Sequence, residues 1–90
     1  MDEIAVRPGG DHYVVQIGDA GGASTHRVTV PDGYPAKLGL RDVDEQRLIE
    51  ESFRFLLERE PKESILSSFE LPVIARYFPE YPDEIAQRLG

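Results

Sequence analysis

The sequence predicts an α+β fold: a three-stranded antiparallel β-meander, then one long helix, then a short helical C-terminal tail. Three observations carry that expectation. Residues up to Pro31 fall into three short runs rich in β-branched residues, parted by glycine-bearing turns. Asp42 to Pro61, DVDEQRLIEESFRFLLEREP, is the one long stretch with an uninterrupted helical apolar period. Beyond it, Pro61, Pro72, Pro79 and Pro82 break the chain into pieces long enough only for short helices.

The strands come first. Ile4 to Arg7 precedes a turn at Pro8-Gly9-Gly10-Asp11, His12 to Ile17 alternates, the connector Gly18 to Ala23 is glycine-rich, and Ser24 to Val30 forms the third run. Side chains alternate across a strand, so a core shared by Ile4, Val6, Tyr13, Val15, Ile17, Val28 and Val30 requires partners whose numbers sum to an odd value. A turn at 8–11 sets Val6 opposite Tyr13 and Ile4 opposite Val15. The connector at 18–23 sets Val15 opposite His26 and Tyr13 opposite Val28. The other face then carries Ala5, Arg7, His12, Val14, Gln16, Thr25, Arg27 and Thr29, and faces water.

Pro31 to Arg41 is a connector in which Pro35 opens a helical turn and Leu38 and Leu40 tuck under the sheet. The long helix is expected over 42–60, capped by Asp42 with Glu45 three residues on, and stopped by Pro61. At 100° per residue Leu48, Ile49, Phe53, Phe55, Leu56 and Leu57 sweep an arc of roughly 200°, with Ser52 inside it. Arg47, Glu50, Glu51, Arg54 and Glu58 fill the remainder, with Glu50–Arg54 and Arg47–Glu51 spaced to pair. An arc so wide must be covered from two sides. Short helices at 61–67, 72–78 and 82–89 supply the second cover, or a second chain does.

Composition bounds the function. Ninety residues with no cysteine make one small domain, 1–90, without disulfides or thiolate chemistry. The acidic start MDEIAV lacks an apolar signal core, and no apolar run reaches the roughly 20 residues that cross a bilayer, so a cytoplasmic protein with no membrane partner is expected. The net charge of −7 divides as −2 over residues 1–40 and −5 over 41–90, which argues against nucleic acid as the main partner. His12 and His26 lie on opposite faces without a third ligand, so no metal is expected. The GDAGGA loop joins two strands and lacks the helix N-terminus that phosphate cradles use, so no cofactor is expected. Glu50/Glu51, Glu58/Glu60 and Asp83/Glu84 sit on solvated faces or helix starts, and the serines lack a His/Asp context, so the chain is not expected to be an enzyme.

Two resemblances bear on the chain. HRVTVPDGYPAKLGL, from His26 to Leu40, resembles the first half of an AbrB-like swapped hairpin, a family of dimeric DNA-binding proteins and antitoxins. It implies an antitoxin-like regulator that contacts DNA through Arg7, Arg27 and Lys37. The chain departs from that pattern where Asp42 opens a long helix instead of a second strand pair. Ser52 to Tyr81 is similar to small bacterial proteins with a SFxFLLEREPKESIL…YFPEY pattern and no established activity, which implies a shared fold and no mechanism. The remaining signal is aromatic: Phe53, Phe55, Phe69, Tyr77, Phe78 and Tyr81 cluster between 53 and 81. Aromatic residues are enriched where proteins meet. The expected function is therefore a non-catalytic protein–protein interaction module, homodimeric or with another protein. Its candidate interface is Leu48, Phe55, Tyr77, Phe78 and Tyr81, with Phe55, beside Glu51 at the edge of the helical arc, the foremost candidate.

Overall fold

Three hairpin-connected strands form the antiparallel meander: β1 (Glu3–Pro8), β2 (Tyr13–Asp19) and β3 (Gly22–Thr29). The computed structural model describes residues 3–19 and 21–89, so Ala20 of the glycine-rich connector lies outside it. The β2–β3 register is the expected one, with Val15 opposite His26 and Tyr13 opposite Val28. The connector is shorter than expected, because pairing continues to Asp19 opposite Gly22. The β1–β2 register differs by two residues: Val6 faces Val15 and Ile4 faces Ile17. Pro8 is tolerated within β1 in either register, and here it is paired as part of the strand. Arg27 N–H donates to Ser67 and Thr29 accepts from Leu71, so the odd residues of β3 here bond outward, away from β2. Alternation then leaves the even residues of β2 to bond β1, and Pro8 falls where its missing N–H would point to solvent. The strand runs through Pro8 and turns at 9–12, where Gly9 N–H donates to the His12 carbonyl at 2.8 Å and Gly10 adopts φ 89°. A shift of two preserves parity, so the core face is unchanged.

A short helix α1 (Tyr34–Lys37) follows, opening on Gly33 at φ 78° with Pro35 in its first turn. Leu38 and Leu40 are buried as expected. The long helix α2 spans Glu45–Leu57, shorter than 42–60. Its cap is Asp44, whose carboxylate accepts from Gln46 N–H at 2.9 Å. Asp42 cannot cap it, because it stands in the left-handed region at φ 55°. Glu45, instead of closing a capping box, accepts the Tyr13 hydroxyl at 2.9 Å and ties the helix start to β2. On the solvated stripe Arg54 pairs with Glu50 at 2.7 Å and also with Glu51, which takes Glu51 away from Arg47.

The expected helix at 61–67 is instead a 3₁₀ turn at Lys62–Ser64 and a fourth strand, β4 (Ser68–Glu70), parallel to β3. Without it the outward amides and carbonyls of β3 would stand open, and backbone groups at a buried edge must be satisfied. Sheet order is β1-β2-β3-β4. Two helices close the chain, α3 (Val73–Tyr77) and α4 (Tyr81–Leu89).

The wide apolar arc is covered by the chain's own tail. α2 packs on the sheet by one side and on α4 by the other, and Leu48, Ile49, Phe53 and Phe55 are fully buried. Ser52, within the arc, donates to the Leu48 carbonyl and lies 2.7 Å from the Tyr81 hydroxyl, joining α2 to α4. Among the described residues no helix is long and apolar enough to cross a membrane.

Candidate functional site

Between the end of α2, the approach to β4 and α3 lies an apolar groove of about 340 Å³. Each wall follows from local sequence. α2 ends in tight turns in which the Arg59 and Glu60 amides both return to the Leu56 carbonyl, placing Leu56 and Glu60 at one end of the groove. Pro61 and the 3₁₀ turn then swing the chain into extended backbone at Ile65. In extended chain neighbouring side chains point opposite ways. Ile65 is accordingly buried and Leu66 stands 46% exposed. Pro72 starts α3, where Ile74 is buried and Tyr77, one turn on from Val73, is 67% exposed. Leu56, Ile65 and Ile74 thus form the base of the groove with Phe69, whose ring lies 5.9 Å from Phe53. Leu66, Tyr77 and half-buried Phe78 stand along its margins.

A buried histidine holds one margin in place. The Leu66 carbonyl can only accept, so His26 Nδ1 carries the proton that bridges to it at 2.8 Å. In the neutral ring Nε2 then accepts from the Ser24 hydroxyl, also at 2.8 Å. His26 is thus a satisfied core residue, packed 5.6 Å from the Phe53 ring. Among the described residues Glu60 is the carboxylate that lines the groove, and burial pushes its pKa above the ordinary glutamate value.

Of the expected interface residues, Tyr77 and Phe78 line this groove. Leu48, Phe55 and Tyr81 do not; all three are completely buried, which corrects the expectation that they offer a surface. Phe55 is enclosed by the tail and by its own helix. Phe78 and Tyr81 meet its ring edge-on at 5.9 and 5.3 Å, and the Arg59 guanidinium lies 3.7 Å above it. Arg59 is held there by Glu80 at 3.1 Å and by the Phe55 carbonyl at 3.2 Å. Charged neighbours on the helical wheel do not expose Phe55. The guanidinium groups of Arg59 and Arg88 lie over its ring, at 3.7 and 5.8 Å. Sequence reasoning missed Leu66, Phe69, Val73 and Glu60 as groove residues. Adjacent Ile65 and Leu66 would have signalled one outward side chain had the segment been read as extended.

Elsewhere the sheet's open face carries Arg7, Val14 and Arg27 in one cross-strand row. The segment Arg27 to Leu40 runs from β3, paired on both edges, into α1, and the next strand is the single β4. Among the described residues no three His, Cys, Asp or Glu side chains come together to hold a metal ion. Comparison with family models, with curated proteins and with solved structures finds no match, so the groove is interpreted from its own residues.

Proposed function

We propose that the chain is a non-catalytic protein-interaction module that takes an apolar segment of a partner into the groove between α2, β4 and α3. One observation carries this reading. The large hydrophobic residues exposed among those described are Leu66 and Tyr77, and both line the same groove. Scattered exposed apolar residues need no explanation, but a continuous apolar surface does. A Tyr at the margin of a water-excluding pocket is a typical anchor, with a large contact area and few rotatable bonds. The polar equipment of the groove, one carboxylate and the hydroxyls of Ser64 and Tyr77, suits orientation of a bound segment.

The test is capture by the tagged chain against capture by a Leu66→Ser/Tyr77→Ser double variant, alongside sedimentation of both. Neither side chain is buried, so the variant keeps its fold. The reading expects the variant to lose the captured protein, or its own dimer, while keeping its circular dichroism. Equal capture and equal mass for both proteins refute it.

A further inference from the structure

We infer that the groove's occupant is an extended peptide segment, apolar and basic, that adds to the sheet as a fifth strand along β4. The inference rests on the interaction reading above and specifies the partner's conformation and charge.

The backbone supplies the first argument. In the parallel β3–β4 ladder Ser67 accepts from Arg27 and Leu71 donates to Thr29. Alternation therefore turns the N–H and C=O groups of Ser68 and Glu70 away from β3, along the outer edge of the sheet. Ser68 and Glu70 are exposed. Such an edge is a ready template for a further strand. The opposite edge is poorer, because β1 contains Pro8. A strand on β4 projects every second side chain toward the face that Phe69 occupies, which is the groove side, and the others toward the open face beside Glu70.

Charge supplies the second argument. Glu60 lies in the groove, and among the described residues no cation pairs with it. Its sequence neighbours are engaged elsewhere, Arg59 with Glu80 and Glu58, Lys62 with Glu63. Burial without a counter-charge is unfavourable, which is why its pKa is raised. A Lys or Arg entering from a partner relieves that. A second copy of this chain answers the demand less well, since each copy carries a net charge of −7.

The probe is a library of random heptapeptides selected on the immobilised full chain, with the recovered peptides resynthesised and measured by fluorescence anisotropy. Apolar residues are expected at alternating positions, with at least one Lys or Arg. N-methylation at every second peptide residue, tested on the unaltered protein, is expected to weaken binding about tenfold or more, and at the intervening residues to change little. Ser68→Pro removes an outward N–H without touching the β3 ladder and is expected to weaken binding similarly. Glu60→Gln is expected to abolish the preference for basic over acidic peptides. If N-methylation is tolerated at every position while Tyr77→Ser abolishes binding, the groove is an interface and the strand addition is wrong. If no peptide is enriched over the Tyr77→Ser protein, both readings fall. A dimer of the free chain that Tyr77→Ser disrupts seats a second copy in the groove and overturns the inference.

Discussion

The hydrogen bond between Ser52 and Tyr81 makes an ordered prediction. Ser52 donates its proton to the Leu48 carbonyl, so the Tyr81 hydroxyl must be the donor to Ser52 Oγ, 2.7 Å away. Both residues are fully buried. Tyr81→Phe removes the donor but leaves Ser52 bonded to Leu48, so it loses one net hydrogen bond, about 1 kcal/mol. Ser52→Ala removes the acceptor and strands the tyrosine hydroxyl in the core. The lost bond adds to a desolvation penalty of about 1–3 kcal/mol, less a few tenths for alanine's better helix propensity, giving about 2 kcal/mol. The double variant removes both polar groups and should lose about 1 kcal/mol, well short of the roughly 3 kcal/mol sum of the singles. For a domain this size each kcal/mol lowers Tm by about 4–8 °C, so the serine variant should melt about 8–16 °C low. Urea unfolding of the four proteins, followed by circular dichroism, gives the comparison. The reasoning is refuted if Tyr81→Phe is the more damaging single change, or if the two substitutions add.

Other predictions follow from the same geometry. Asp44→Ala should lower stability by about 1 kcal/mol through loss of the helix cap, whereas Asp42→Gly should cost nothing, because glycine tolerates the left-handed backbone at φ 55°; urea midpoints of the two variants separate the roles. Phe55→Ala should lose about 3–5 kcal/mol, while Tyr77→Ala, at an exposed side chain, should stay within about 0.5 kcal/mol and act on partner binding alone. Burial raises the pKa of the Tyr81 phenol, and burial also raises those of Tyr34 and Tyr13, the latter helped by its bond to Glu45. The unfolded chain therefore releases these protons first, so stability holds below about pH 10 and falls above it, and denaturant midpoints measured up to about pH 11 should show the fall lessened in Tyr81→Phe. Duplex DNA should give no mobility shift at low salt, since the net charge is −7 and the Arg7–Arg27 row is a small basic patch for phosphates; a shift with a steep salt dependence contradicts this.

What the sequence alone determined is what depends on period and on proline. Alternation assigned both sheet faces correctly, even though β1 slipped by two residues, because an even slip leaves every side chain on its face. The 3.6-residue period located α2 and required two-sided cover for its arc, and the prolines marked the starts or near-starts of the turn and helices that supply it. The tertiary structure decided the rest, because those outcomes depend on partners distant in sequence. Residues 65–71 have no strand alternation strong enough to announce β4; they extend because the free edge of β3 needs partners, and because His26 holds the Leu66 carbonyl. Phe55 looks half-solvated on a helical wheel, yet Phe78, Tyr81 and the Arg59 side chain enclose it. The groove follows from both: an extended Ile65–Leu66 step faces α3 across a gap that neither segment fills alone, and no local period predicts that meeting.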